Sequence, residues 1–292
     1  MTSKDIYIVG AARTAVGTFG GALKDVPMSQ LATAVVREAL RRSNANPARV
    51  GQLVMGNVIP TEPRDAYLSR VAAMDAGIPQ EAPAFNVNRL CGSGLQAILL
   101  AAQSLMAGDA DIAVGAGSEA MSRGAYLMPD ARWGTRMGDA SVQDYMPGIL
   151  HDPFHRIHMG ITAENVAAQE GITREMQDAL ALVSQQRAAR ATVEGRFKSQ
   201  IVPVEIAGRK GTVLFDIDEH VRGGVTLEQL ASMKPVFKPD GTVTAGNASG
   251  LNDGAAAVVL ATEAALCRRR AQEHQIGRVR WMPRPARTAR AR

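Results

Sequence analysis

The sequence predicts an α/β fold, a sheet covered by helices. Three observations carry this reading. Short apolar runs ending in glycine alternate with amphipathic stretches over the first 118 residues, which is the pattern of strand–helix alternation. Apolar residues make up 46% of the chain and aromatics only 4%, so packing must run through Ala, Val, Leu and Gly. That composition excludes a wholly disordered chain and disfavours an aromatic-lined carbohydrate or base-stacking surface. A length of 292 residues allows one large domain or two modest ones.

The elements follow in order. DIYIVGAA at 5–12 reads as a buried first strand. Residues 29–43 read as a helix with Leu31, Ala32, Val35, Val36 and Ala39 on one stripe and Leu40 at its margin. GQLVMGNV at 51–58 is a second strand, 66–75 a helix, and AFNVN at 84–88 a third strand. That strand runs into Cys91-Gly92-Ser93-Gly94, after which a helix extends to Met106 with Leu95, Ile98, Leu99, Ala102 and Leu105 on its apolar face. ADIAVGAG at 110–117 is a further strand. Residues 120–160 are rich in Met, Pro, Gly, Arg and His, with weak periodicity. Helices return at 162–170 and 173–194, a short strand at 201–206, then loop-like sequence to about 246. A last strand is expected at 255–262.

Charge is uneven. Residues 268–292 hold nine arginines and one acidic residue, Glu273, while the rest is slightly acidic. A nucleic-acid reading would rest on that segment alone, and it carries no recognition motif. Two cysteines make no disulfide framework, which fits a reducing, cytoplasmic setting. The first residues lack the apolar core of a secretion signal, and no run of about 18 apolar residues is expected to span a membrane.

Cys91 is the residue with the most chemistry. It follows a buried strand and opens a helix, between flexible glycines. A helix N-terminus favours a thiolate, and glycines let a substrate carbonyl approach backbone N–H groups. Such a thiolate is a covalent nucleophile; the bland alternative is a small buried cysteine in a Gly-rich turn.

Asn88-Arg89-Leu90-Cys91-Gly92-Ser93-Gly94-Leu95-Gln96-Ala97 resembles the acylated-cysteine motif of the thiolases. Residues 115–122 (GAGSEAMS), 155–165 (HRIHMGITAEN) and 246–256 (GNASGLNDGAA) resemble later thiolase motifs, in the right order. The likeness is nearest to the bacterial biosynthetic branch, acetyl-CoA acetyltransferase and broad-range β-ketothiolase. It implies a thiolase-like α/β fold and the interconversion of two acetyl-CoA with acetoacetyl-CoA plus coenzyme A, by ping-pong acylation of Cys91. Coenzyme A and acetyl-CoA enter as substrates, with no permanently bound cofactor. By motif position Ser249 contacts the pantetheine chain, His158 and Met159 line its tunnel, and Arg222 lies near the phosphate end. Phe237 and Leu150 are further tunnel candidates. A homodimer or homotetramer is implied, with 124–139 in the region used for tetramer contacts.

The resemblance also implies an activating histidine in a Gly-His-Pro motif and a late cysteine in Cys-x-Gly-Gly-Gly. Neither motif occurs in this sequence. The expectation is therefore a truncated thiolase-like fold: a first βαβαβ-type core half plus an inserted loop domain, with the second half absent, its helices left with an exposed apolar face and its turnover low. The boundaries are 1–118 and 248–265 for the discontinuous core and 119–247 for the coenzyme A-binding loop domain. Residues 266–292 read as an Arg-rich, aberrant or disordered tail, of the composition a frameshift would give. His151, Asp152, His155 and His158 cluster closely enough for a metal. The prolines at 147 and 153 argue against one, and no metal is expected. Two other readings stand behind the enzyme: a non-catalytic acyl-CoA-binding fragment, and, ranked lower, nucleic-acid binding through the basic tail.

Overall fold

The computed structural model describes residues 5–134, 137–208, 211–267 and 277–279. The strands are β1 (Ile6–Thr14), β2 (Gly17–Thr18), β3 (Gln52–Gly56), β4 (Ala84–Val87), β5 (Ile112–Ala120), β6 (Tyr126–Leu127), β7 (Gln143–Asp144), β8 (Ile201–Val202), β9 (Val204–Gly208), β10 (Gly211–Phe215), β11 (Asn252–Thr262) and β12 (Gly277–Val279). The helices are α1 (Met28–Arg42), α2 (Leu68–Asp75), α3 (Ser93–Ala107), α4 (Tyr145–Ile149), α5 (Met159–Gln169), α6 (Arg174–Val193), α7 (Leu227–Ala231) and α8 (Glu263–Cys267).

The main sheet runs β12-β1-β11-β5-β3-β4, with β2 on β11 and β8 on β1. β5, β3 and β4 are parallel neighbours, as helical crossovers require. β11 lies antiparallel between β1 and β5. Strand and helix alternate as expected through β1-α1-β3-α2-β4-α3-β5, and the sheet is mixed. The reason is that β11 returns from a long excursion. It needs no crossover helix, and its 11 residues pair along both edges.

Alternation along the strands feeds two cores. Leu53, Met55, Val114, Ala116, Ala257 and Val259 face α1 and α2. Val54, Ala113 and Leu260 face α3. The α1 stripe is buried as the periodicity predicts, and Leu40 is as buried as the rest. Each such Leu or Val contributes about 1.5–3 kcal/mol over exposure. A third cluster, with Leu23, Leu31, Ile201, Val204 and Phe215, ties β8, β9 and β10 to the sheet.

The seat of α3 is set by glycines. A Cβ at Gly56 would fall 2.6 Å from the carbonyl carbon of Ser93, and one at Gly115 would fall 2.7 Å from Ile98 Cα. The helix therefore rests on bare sheet backbone, and its first turn is fixed at the end of β3. Its outer side is open: Leu95 and Met106 are exposed, while Ala97, Ala101 and Leu105 are buried. The predicted apolar face was thus drawn partly on the wrong side. The stretch 90–107 is also long and apolar enough, by length and composition, to cross a membrane, which the sequence reading missed. Here it packs on β5 and β3.

Between β5 and β11 lie the small hairpins β6–β7 and β9–β10 and helices α4 to α7. The hairpin at 204–215 and α7 replace loop-like sequence, and the strand expected at 201–206 is split at Pro203. In the segment read as a tail, α8 includes 266–267, and 277–279 pair with 6–8. The remainder of that segment lies outside the described residues.

Candidate active site and ligand cavity

Cys91 sits in the turn between β4 and α3 and is exposed. The turn is strained and tightly held. Leu90 has φ of 49°, left-handed for a residue with a Cβ, a conformation costing roughly 1–2 kcal/mol. Four hydrogen bonds offset it. Leu90 N–H donates to Asn88 Oδ1 at 2.9 Å, and Arg89 N–H donates to Ser93 Oγ at 2.8 Å. Ser93 Oγ donates to Leu90 C=O at 2.6 Å, as does the Ser93 N–H at 2.9 Å. Ser93 is buried. The cysteine is thereby held just before the start of α3, where the partial positive charge of the helix end concentrates. A Cβ at Gly94 would meet nothing within 4 Å, so the space over the first helical turn is open to a substrate. Among the described residues, no side chain hydrogen-bonds the Cys91 sulfur.

Behind this turn, Glu119 at the end of β5 accepts from Asn57 Nδ2 at 2.9 Å, Val58 N–H at 3.0 Å and Ile59 N–H at 2.9 Å. Burial pushes its carboxyl up to about 7. The Ile59 and Val58 N–H groups oppose this, and the charge of Asp65 adds to it. The 57–59 loop that Glu119 holds reaches Asn88 through Val58 C=O at 3.5 Å.

A cavity of about 750 Å³ lies between α6, α7 and the 244–251 loop. Arg222, Phe237 and Ser249 are among the residues that line it. His158 is not in its lining but stacks on Phe237, with ring centroids 4.7 Å apart and planes at 18°. Its Nδ1 accepts from Gly160 N–H at 3.0 Å, capping α5, so this nitrogen is unprotonated. Burial, then the neighbouring His151, pushes the His158 pKa down. Met159 and Leu150 are joined through Met159 N–H to Leu150 C=O at 2.9 Å, and Met159 is partly exposed. The structure therefore gathers Arg222, Phe237 and Ser249 around one cavity, with His158 against Phe237 and Met159 and Leu150 outside the lining. Cys91 is not among the lining residues.

Four carboxylates hold this cavity in place. Asp218 accepts from the Arg13 guanidinium at 2.8 and 3.0 Å and from Val16 N–H at 2.8 Å. Burial pushes its pKa up, but the Arg13 and Val16 bonds outweigh burial and hold the carboxyl low. Glu219 accepts from Thr18 N–H at 2.8 Å and Ala22 N–H at 3.1 Å. Together they fasten the Arg222 segment to the sheet. Glu164 accepts from Thr242 N–H and Val243 N–H, each at 2.8 Å, and from Thr242 Oγ1. Burial again opposes these bonds, and the bonds win. Asp178 accepts from Asn247 Nδ2 at 2.9 Å, fixing the start of the Ser249 turn against α6.

Sequence reasoning missed His220, Gln185, Leu230 and Met233 in the lining. The only signal was position: His220 lies two residues before Arg222 in the same DEHVRGG stretch. The histidine cluster at 151–158 is divided among separate contacts. His155 pairs with Asp152 at 2.7 Å, and His158 caps α5. Among the described residues, no group of three or more His, Cys, Asp or Glu side chains could hold a metal ion.

The family model described as "Thiolase, N-terminal domain" matches residues 6–264. The chain belongs to the thiolase family. It is 58% identical over 268 residues to "Beta-ketothiolase BktB" of Cupriavidus necator, covering 91% of this chain and 68% of that protein. It is 50% identical to an acetyl-CoA acetyltransferase of the same organism, covering 89% and 66%. The crystal structure of human mitochondrial 3-ketoacyl-CoA thiolase matches with a TM-score of 0.88 at 40% identity, covering 91% of this chain and 67% of that one. The Bacillus anthracis acetyl-CoA acetyltransferase matches with a TM-score of 0.88 at 42% identity, with the same coverage. The chain thus spans about two thirds of the length of these relatives.

These matches correct the expectation of a truncated thiolase-like fold. Solved thiolases superpose over 91% of this chain, so nearly all of it is accounted for as thiolase-like α/β structure. The abrupt change of composition after Leu266 is a local feature of a short segment and is no measure of the fold before it. Thiolase chemistry, acyl transfer to and from coenzyme A, goes with membership of this family. Coenzyme A and acetyl-CoA stand as substrates, and one of the matching structures is a thiolase complex with coenzyme A.

Proposed function

We propose that Cys91 is the acyl acceptor of a biosynthetic-type thiolase and that the 750 Å³ cavity holds the coenzyme A portion of its substrate. The observation that carries the first part is the turn itself. It places an exposed sulfur at a helix end, and hydrogen bonds over-determine its strained backbone. In the first half-reaction the Cys91 thiolate attacks the thioester carbonyl of acetyl-CoA. A new carbon–sulfur bond forms to Cys91, the bond to coenzyme A breaks, and coenzyme A leaves as a thiolate that takes up a proton. In the second, another acetyl-CoA gives up its α-proton to solvent, its α-carbon bonds to the acyl carbon, the carbon–sulfur bond to Cys91 breaks, and acetoacetyl-CoA leaves with the Cys91 thiolate regenerated. Thiolysis is the reverse.

Residues 119–247 are read as the unit that binds coenzyme A. Ser249 and Phe237 act on the pantetheine arm, with His158, Met159 and Leu150 shaping its wall, and Arg222 serves the phosphate end. A homodimer or homotetramer is proposed, as is a cytoplasmic location. Trp133 and Met137 are 85% and 98% exposed in the region assigned to tetramer contacts, which supports an interface there.

The test is incubation of the full chain with acetyl-CoA, followed by mass analysis of the peptide containing Cys91 and assay of coenzyme A-dependent acetoacetyl-CoA cleavage. An acetyl group on Cys91, absent in Cys91→Ala, is the expected result. A chain that binds coenzyme A but never carries acetyl on Cys91 would be a non-catalytic acyl-CoA binder, and the proposal would fail.

A further inference from the structure

One ring nitrogen on the wall of the cavity has no partner. His220 Nε2 is sealed from solvent, and no described group hydrogen-bonds it. The ring lies against the backbone of Gly250: a Cβ there would stand 2.3 Å from its Cε1 and 2.9 Å from Nε2. His220, Ser249 and Gly250 all line the cavity. The ring is also anchored through its own chain. Glu219 on one side accepts from Thr18 and Ala22 N–H, and Arg222 N–H on the other donates to Gln185 Oε1 at 2.7 Å. The chain that carries the imidazole is thus tied down on both sides.

A buried polar atom left unpaired is costly, and native structures pair nearly all of them. An unpaired one on a cavity wall points to a polar group of the ligand. The surroundings say which kind. The Glu219 carboxylate, whose charge interacts with His220, disfavours a phosphate there. Leu230, Met233 and Phe237 on the same cavity are apolar. A neutral amide suits both conditions, and the pantetheine arm of coenzyme A carries amides between its phosphates and its sulfur.

We propose that His220 is a binding residue for acyl-CoA, its Nε2 hydrogen-bonded to an amide of the pantetheine arm. This rests on the reading of the cavity as the acyl-CoA site. The contact requires the turn at 249–251 to move off the ring as the arm enters.

Calorimetric titration of the full chain with coenzyme A, pantetheine and ADP tests it. His220→Phe keeps a ring against Gly250 and removes the nitrogen, while His220→Gln offers an amide near the same place. The Phe variant is expected to weaken pantetheine and coenzyme A about tenfold and leave ADP unchanged, with Gln recovering most of the loss. Should the Phe variant not fold, as judged by circular dichroism, His220→Asn gives the same test, because its amide falls short of the Nε2 position. Unchanged pantetheine affinity in the folded variant, or a loss confined to ADP, overturns the inference while leaving the cavity assignment intact. A wild-type chain that binds no coenzyme A overturns the cavity assignment, and this inference with it.

Discussion

Ser93→Ala tests whether the Cys91 turn is built or merely tolerated. The hydroxyl is buried and does two things at once: it accepts from Arg89 N–H and donates to Leu90 C=O. Its removal loses both bonds and leaves Arg89 N–H without its partner. At about 0.5–1.5 kcal/mol for each bond, the stability loss is about 1–3 kcal/mol. The local effect should be larger than that figure suggests. Leu90 keeps φ of 49° only because its neighbours hold it there, and relaxing to an ordinary conformation returns roughly 1–2 kcal/mol. The turn therefore gains from letting go, and Cys91 moves with it. A misplacement of about 1 Å at a reacting atom costs on the order of 100-fold in rate. Urea unfolding gives the first number, and the rate of Cys91 acetylation in the folded variant gives the second. If stability falls by the stated amount but acetylation stays within about twofold of wild type, the strained turn does not aim the sulfur.

Three more outcomes follow from the same structure. Gly250→Ala should lower stability by about 1–3 kcal/mol in urea unfolding, because its Cβ would fall 2.3 Å from the His220 ring and the turn must shift off it; unchanged stability would mean that the turn and ring separate freely. Glu164→Ala removes the acceptor for Thr242 and Val243 N–H groups and should cost about 2–4 kcal/mol in urea unfolding. It should also lower coenzyme A affinity, since the chain from Thr242 leads directly to Ser249. Glu119 makes stability depend on pH. Its folded pKa, about 7, lies above the ordinary 4.5, so between these values the folded chain binds more protons than the unfolded one. Stability then falls as pH rises through this window, by up to about 3 kcal/mol. Unfolding of wild type relative to Glu119→Gln should show that fall between pH 5 and 7, and a difference independent of pH would refute it.

What could be read in the sequence follows from what is local. The α1 stripe was legible because 3.6-residue periodicity records which side faces a core, and Leu31, Val35 and Val36 face one. Motif likeness gave Arg222, Phe237 and Ser249 roles toward coenzyme A, and the three line one cavity. The side of α3 was misjudged because an apolar residue such as Leu95 looks the same in sequence whether it is covered or bare. The mixed sheet was not legible either. Nothing in AAAVVLAT states that it pairs antiparallel with residues 112–120 and 6–14. His220 was missed because its role depends on Gly250, 30 positions away, approaching its ring. The carboxylate clamps were missed for the same reason. Asp218 reaches Arg13 across more than 200 residues, and a lone acidic pair carries no periodic mark.

The place of β11 bears on how this chain is made. β1 and β5 have no contact in the sheet except through it, and β11 is not complete until residue 262 has been synthesised. On the ribosome, a few hundred residues emerge over tens of seconds at the usual pace. For most of that time β1 and the outer edge of β5 wait as open strand edges, with Val114 and Ile8 beside unpaired backbone. Such edges recruit other strands. The nascent chain thus passes through an interval when its stickiest surfaces are on show, and holding factors that bind extended apolar segments should find their main targets in residues 6–14 and 112–120.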